Sequence, residues 1–292
     1  PQNYEKALEY YQKAADLGNS KAMENIAYLY EDGEGVPQNY EKALEYFQKA
    51  ADLGNSRAMD NIGFLCVNGK GVPQNYEKAL EYFQKAADLG NPNVMANIGY
   101  LYLFGYGVPQ NYEKALEYFQ KAADIGNSNA IYTIGNLYYN GEGVPQNYEK
   151  AFEYFQKAAD LGCIYSLAGI GLCYMEGNGV QKNYSKAVKY LQRATDLGSS
   201  SGMMFLDICY FNGYGVPQDD SKGIELYQKS VELGNNLAMY NLGVLYLDGD
   251  VVQQDYSKAI ELLKKSAEKG CDLAKDTLEN LSPKHKLFNL MT

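Results

Sequence analysis

The chain has 292 residues, a formal net charge of −10 and an apolar share of 46%. The excess of carboxylates argues against a nucleic-acid-binding protein, because neutralising phosphates requires clustered Lys and Arg side chains. No run of about 18 apolar residues occurs, so the sequence predicts no insertion into a membrane.

One unit of 36 residues repeats without gaps from the first residue onward. The units begin at Pro1, Pro37, Pro73, Pro109, Pro145, Gln181, Pro217 and Gln253. A fixed period of this length is typical of a solenoid made of stacked units. We therefore predict a single repeat array over residues 1–292, with residues 282–292 as a non-repeat tail. That tail either covers the last helix or leads into a further unit.

The first half of each unit predicts a helix and is copied closely, as in PQNYEKALEYFQKAADLG at 37–54 and again at 73–90. Asn39 stands where a helix cap is expected, and Glu41 lies near the positive end of the helix dipole. Apolar residues then follow at spacings of three and four. Gly54 ends the helix, because the residue just past a helix end often needs a positive φ.

The second half of each unit predicts a helix that opens near Asn55 and varies more between units. Its buried stripe, represented by Ile62, keeps Ile or Leu in every unit. The neighbouring position, Gly63, is Gly or Ala in six units, which lets another helix pack closely. Two glycines, Gly69 and Gly71, then form the turn that closes the unit.

The segment AMENIAYLYEDGEGVPQNYEKALEYFQKAADLG, residues 22–54, resembles the Sel1-like repeat, a relative of the tetratricopeptide repeat. The resemblance covers nearly the whole chain and ends at about Leu281. It implies an all-α fold, a right-handed α-solenoid of tandem 36-residue helix-turn-helix repeats. It also implies a protein–protein interaction scaffold or adaptor rather than an enzyme, with the second helices lining a concave groove.

By that resemblance, we predict that a protein or peptide ligand of unknown identity binds along the second helices. The groove would be acidic at its N-terminal end and apolar and aromatic further on, a composition that suits adaptable docking. The candidate binding residues are Glu24, Asn25, Tyr28, Asp60, Asn61, Phe64, Asn97, Tyr100, Leu103, Tyr132, Asn136, Tyr139, Met175, Met204, Phe211, Tyr240 and Asn241. Asn25, Asn61, Asn97 and Asn241 would hold the partner backbone; a cap or an inter-helix hydrogen bond explains them equally well.

Alternative causes of the repeat pattern stay open. Recent duplication alone would make the first helices alike, and the row that includes Leu103, Tyr139 and Met175 could pack between units. A second function hypothesis is a structural spacer or a self-assembling array that associates through its ends. A third is a hydrolase of the secreted β-lactam-binding type, but those relatives carry a Cys pair in each unit that this sequence lacks.

The sequence predicts no catalytic, cofactor or metal site. His285 is the only His, so a His-based triad or metal cluster has no support. Cys173 and Cys209 replace core Leu residues and predict buried packing without disulfides, which favours a cytoplasmic location. The chain begins inside a repeat, so secretion after removal of a leader stays open. Asp207, at a position that is Gly or Ala in six units, predicts either a solvent-facing residue or a polar contact for a partner.

Overall fold

The computed structural model describes residues 3–281, where it contains sixteen α-helices and no β-strand. The helices are α1 (Tyr4–Asp16), α2 (Ser20–Asp32), α3 (Tyr40–Asp52), α4 (Ser56–Asn68), α5 (Tyr76–Asp88), α6 (Val94–Phe104), α7 (Tyr112–Asp124), α8 (Ser128–Asn140), α9 (Tyr148–Asp160), α10 (Ile164–Glu176), α11 (Tyr184–Asp196), α12 (Ser200–Asn212), α13 (Asp220–Glu232), α14 (Asn236–Asp248), α15 (Tyr256–Glu268) and α16 (Asp272–Asn280). None of these helices combines the length and the apolar character needed to cross a membrane. The predicted tail and its His285 lie outside the described residues.

The chain divides into two compact units, residues 1–146 with α1–α8 and residues 147–292 with α9–α16. Within each unit, a helix packs mainly against the helices that precede and follow it in the chain. Odd-numbered helices are the copied first helices, and even-numbered helices are the variable second helices. The predicted all-α class of tandem helix-turn-helix repeats is therefore confirmed, whereas the single array over the whole chain stays a prediction.

Local signals in the sequence explain where the helices begin and end. The Asn39 side-chain oxygen accepts a hydrogen bond from the Lys42 backbone N–H at 2.9 Å, which caps α3 as predicted. At the other end, the Gly54 N–H donates to the Ala51 carbonyl at 2.9 Å, with Gly54 at φ 82°. The same cap and glycine recur in the following copied helices, which is why their lengths are equal.

The core of the third and fourth repeats is an aromatic ring seated on a glycine of the preceding second helix. The Phe83 ring is almost fully buried, and a methyl group at Gly63 would lie 2.5 Å from it. Phe119 and Gly99 form the same contact one repeat further on, at 2.8 Å. The small position predicted from the sequence is thus a place where α4 and α5 leave no room for a larger side chain.

The turn glycine Gly71 brings one repeat into contact with the one before it. Its φ is +69°, and an added methyl group would lie 2.6 Å from the carbonyl oxygen of Tyr40 at the start of α3. Gly71→Ala should therefore lower the free energy of unfolding by about 3 kcal/mol, through a left-handed backbone and a clash with main chain.

Gly54→Ala is the matched control for this prediction, since Gly54 has φ +82° but open space around it. It should cost only about 1 kcal/mol, the conformational cost alone. Chemical unfolding followed by circular dichroism measures both values. Equal losses in the two variants would show that the contact with Tyr40 contributes nothing.

Candidate partner-binding surface

The predicted groove residues all lie on second helices, between α2 and α14. We term the surface of these helices that carries them the variable face. Phe64 is exposed, at 51%. Four of the predicted residues are buried: Glu24, Leu103, Met175 and Met204. The others are partly buried: Asn25, Tyr28, Asp60, Asn61, Asn97, Tyr100, Tyr132, Asn136, Tyr139, Phe211, Tyr240 and Asn241.

Glu24, predicted at the acidic end of the groove, is instead a polar link between repeats. Its carboxylate is 1% exposed and accepts hydrogen bonds from the Lys21 Nζ at 2.6 Å and from the Asn55 Nδ2 at 2.8 Å. Asn55 is also the cap of α4. Since both carboxylate oxygens are used inside the stack, Glu24 holds α2 against the start of α4 and is not presented to a partner.

Apolar packing accounts for the other three buried candidates. Leu103 is a core residue of α6, and the Met175 sulfur lies 3.9 Å from the Cys209 sulfur of the next repeat. Met204 packs in a cluster with Tyr227 and Leu242. For Met175, packing between repeats is therefore the interpretation that holds.

Hydrogen bonds between consecutive second helices engage two of the four predicted Asn side chains. The Asn61 Nδ2 donates to the Tyr28 hydroxyl at 2.7 Å, and the Asn97 Nδ2 donates to the Asp60 carboxylate at 3.2 Å. These bonds link α2 to α4 and α4 to α6. The inter-helix hydrogen bond thus accounts for Asn61 and Asn97, and it uses one of the two N–H donors of each amide.

Asp207 is fully buried in α12, so neither the solvent-facing position nor the partner contact predicted for it is correct. Neither of its carboxyl oxygens has a hydrogen bond of good geometry within the described residues, although the Tyr227 hydroxyl and the Ile208 N–H face them. Burial raises the pKa of Asp207 to about 9, which these two groups oppose only in part. The carboxyl is therefore protonated in the folded protein at neutral pH.

Several residues around Asp207 differ from those around the small residues, such as Gly63, that hold its position in other repeats. Tyr227 occupies the place that Phe83 holds in α5, and burial together with Asp207 raises its pKa. Asn241 also contacts the Tyr227 hydroxyl. Phe211 fills the space beside Gly223, where an added methyl group would lie 2.7 Å from its ring. Phe211 and Asn241 therefore serve the packing of the second unit.

Burial also explains the cysteines. All five are buried, and none forms a disulfide. Burial raises the pKa of Cys173 to about 12 and that of Cys209 to about 11, with nearby carboxyl groups adding to the shift. Such thiols are unreactive at neutral pH, so both residues act as the small core side chains that the sequence predicted.

A row of contacting rings in the first unit was not predicted from the sequence. The Tyr76 and Tyr106 ring centroids lie 4.7 Å apart, those of Tyr106 and Phe104 lie 5.5 Å apart, and those of Phe104 and Tyr100 lie 6.2 Å apart. The Tyr100 hydroxyl also lies 3.1 Å from the Thr133 Oγ1 on α8. Phe104 and Tyr106 remain 54% and 44% exposed.

The sequence does contain a signal for this cluster, in a single departure from the repeat. The residues that stand at the position of Phe104 in other repeats are Asp32, Asn68, Asn140, Glu176, Asn212 and Asp248. All of these are polar, as the exposed end of a helix should be. An aromatic ring exposed to water at this position is unfavourable, and the fold of the repeat does not require it.

We term the exposed rings Phe64, Phe104 and Tyr106, with Tyr100 between them, the aromatic patch. Phe64 lies one turn beyond Asp60 on α4, and Tyr100 lies one turn beyond Asn97 on α6. Since Asp60 and Asn97 are hydrogen-bonded, the two rings stand on adjacent helices at a similar height. The patch therefore spans two repeats of the first unit.

Carboxylates adjoin the aromatic patch on its N-terminal side. Burial raises the pKa of Asp60, and the Asn97 hydrogen bond lowers it again only in part. Burial and the neighbouring Asp32 raise the pKa of Glu31 on α2, while Lys70 opposes them. By contrast, α6 and α8 carry no charged side chain. The variable face of the first unit thus changes from acidic to aromatic along the repeats.

Comparison with known proteins identifies the family. The Sel1 repeat model matches residues 1–19, 20–55, 56–91, 92–127, 128–163, 164–199, 202–235 and 236–271. The chain belongs to the Sel1 repeat family. Proteins of this family are generally non-catalytic scaffolds, and their fold is typical of protein interaction. No curated protein matches the chain.

Solved structures of Sel1 repeat proteins share this fold. A protective antigen of uropathogenic Escherichia coli strains is 32% identical with a TM-score of 0.70, over 90% of this chain and 56% of that one. This Sel1 repeat chain therefore spans little more than half of that relative. A Sel1 repeat protein from Oxalobacter formigenes is 29% identical with a TM-score of 0.73, over 84% of this chain and 96% of that one.

One further solved structure resembles this Sel1 repeat protein at lower sequence identity. Yeast Tom70 is 19% identical with a TM-score of 0.53, over 100% of this chain and 64% of that one. At this level of identity, the likeness shows the fold alone.

Proposed function

We propose that this protein is an interaction scaffold that binds a protein or peptide segment on its variable face. The observation that carries the proposal is the aromatic patch, where Phe104 replaces the polar residue of the other repeats and stays 54% exposed. In the first unit, the proposed surface keeps the exposed and partly buried candidates and adds Phe104 and Tyr106. Phe211 and Asn241, which pack within the second unit, are left out of it. The four buried candidates are left out of it.

The physical basis is the burial of apolar surface that the fold leaves exposed. Phe64 and Phe104 are each about half exposed, so covering them with a partner contributes roughly 1 kcal/mol per ring. Exposed aromatic side chains are also the residues on which binding energy tends to concentrate. The copied helices supply a rigid support, which lowers the entropic cost of association.

Selection of peptides from a random display library on the immobilised protein tests the proposal. We expect enriched peptides whose affinity falls about tenfold or more in the double variant Phe64→Asn with Phe104→Asn. Both replacements are already used by the chain, since Asn136 and Asn68 hold the equivalent places. Circular dichroism should show unchanged helicity.

Leu53→Gln is the control variant, because Leu53 is 54% exposed like Phe104 but lies at the end of a copied helix. It should leave peptide affinity unchanged. Equal affinity of the double variant and the wild type would contradict the proposal. If selection gives no binders and the sedimenting mass grows with concentration, the self-assembling array is favoured instead.

A further inference from the structure

We propose that the first unit recognises a cationic segment, in which an aromatic or aliphatic side chain stands next to Lys or Arg. This inference rests on the proposed function and specifies the chemistry of the partner. The apolar side chain would lie on the aromatic patch, and the cation would pair with Asp60.

The charges of the first unit point to a cationic partner. Residues 1–146 contain 18 Asp and Glu against 11 Lys and Arg. On its second helices, the only basic residues are Lys21 and Arg57. Lys21 is paired with the buried Glu24, and Arg57 takes part in none of the salt bridges among the described residues. Glu31, Asp32 and Asp60 therefore leave this face with a net negative charge.

Asp60 is the carboxylate best placed to receive a cation beside the rings. It is partly buried, and its oxygen accepts a hydrogen bond from the neutral Asn97 amide rather than from a cation. The raised pKa of Asp60 has the same cause, because burial disfavours the ionised form and the Asn97 bond opposes it only in part. A Lys or Arg from a partner would supply the missing charge at a site that water screens incompletely.

The distance between Asp60 and Phe64 on α4 determines how far apart the cation and the apolar side chain must be in the partner. Asp60 and Phe64 are four residues apart on α4, so their Cβ atoms lie roughly 6 Å apart. An extended chain advances about 3.3 Å per residue, which places the cation within about two residues of the apolar side chain. This rule predicts a short motif rather than a diffuse positive charge.

The exposed rings add a second attraction for cations. Ammonium groups within this protein already lie over tyrosine faces, with the Lys42 Nζ 5.1 Å from the Tyr30 ring centroid and the Lys114 Nζ 5.1 Å from that of Tyr102. Phe104 and Tyr106 stack on neighbouring rings and still keep 54% and 44% of their surface exposed. A partner Arg or Lys could use them in the same way.

Fluorescence anisotropy with three labelled peptides of about ten residues tests the inference. The peptides share one Phe and one Leu and differ only in the flanking residues, which are Lys and Arg, Gln, or Glu. The Lys and Arg peptide should bind the intact chain at least about tenfold more tightly than the Glu peptide. Raising the ionic strength should reduce that difference, because salt screens the ion pair.

Variants separate the two parts of the surface. Asp60→Asn, which keeps a side chain that can hydrogen-bond Asn97, should weaken the Lys and Arg peptide and leave the Gln peptide unchanged. Phe104→Asn should weaken both peptides. The controls are Leu53→Gln and Glu81→Gln, an exposed carboxylate on the copied helix α5; neither should change affinity.

The other possible outcomes contradict either this inference alone or the proposed function as well. Equal affinity for the Lys and Arg peptide and the Glu peptide, or no response to Asp60→Asn, contradicts the inference. If display yields binders that depend on the variable face while the cationic peptide does not bind, the inference fails and the proposed function stands. If neither display nor the synthetic peptides give a binder that depends on this face, both fail.

Discussion

Replacing Asp207 by Asn is expected to stabilise the second unit, by an amount that grows as the pH rises. In the folded protein burial raises the pKa of Asp207 to about 9, whereas the unfolded chain has the ordinary value of 3.8. Between these values the folded state holds a proton that the unfolded state has lost. The free energy of unfolding therefore falls with rising pH, by about 1.4 kcal/mol per pH unit from this group, and levels off above about 9.

Asn cannot ionise, so the variant should lack this dependence. At pH 7 it should be more stable than the wild type, on the order of 4 kcal/mol, and below about pH 4 the two should be similar. Of the two neighbouring titratable groups, Tyr227 and Cys209, both stay neutral over this range because their pKa values are raised. Urea unfolding at pH 4, 7 and 9 measures the difference.

Asp250→Asn is the control for this experiment, because Asp250 is exposed in a loop of the same unit. It should change stability little at any of these pH values. Stability curves of the wild type and Asp207→Asn that run parallel from pH 4 to 9 would show that the buried carboxyl is not protonated in the fold.

Truncating one core ring is expected to have an effect of similar size. Phe83 is 1% exposed and fills the space over Gly63, so Phe83→Ala leaves a cavity that the rigid helices around it cannot close. The free energy of unfolding should fall by about 3–5 kcal/mol. Because repeats contact mainly their neighbours, the loss should appear in the first unit before the second.

The chain itself offers the control for Phe83. Leu191 and Leu263 hold the same position in the second unit and are fully buried. Phe83→Leu should accordingly cost no more than about 1.5 kcal/mol. Chemical unfolding followed by circular dichroism compares the two variants. Equal losses for Ala and Leu would mean that ring volume is not what holds α4 and α5 together.

The repeat made most of the fold predictable from the sequence. Most helix boundaries follow from contacts within a few residues, such as the Asn39 cap on Lys42 and the positive φ at Gly54. Contacts of this kind depend only on residues that are close in the sequence. Because the same pattern occurs in every repeat, the helix ends can be assigned more reliably than from one occurrence. The small residue at Gly63 likewise marked a close contact between helices.

The candidate surface was predictable only in part, because a neighbouring repeat covers part of the helix face that carries it. Glu24 and Phe64 lie on the same side of their helices. Glu24 is nevertheless buried and accepts a hydrogen bond from Asn55, whereas Phe64 is exposed. Helical periodicity gives the direction of a side chain from its own axis. It does not say whether the next repeat covers that side chain, since this depends on how far apart the two helices lie.

The sequence by itself determined the helix bounds, the turns, the small-residue positions that allow close helix packing and the Sel1 repeat family, because these depend on backbone capping and residue size at fixed spacing. Only the tertiary structure decided which variable residues form hydrogen bonds between repeats, as Asn61 and Asn97 do, and which stay exposed to a partner, as Phe104 does. The reason is that burial and hydrogen bonding across the stack join residues more than thirty positions apart, and no local pattern encodes their distance.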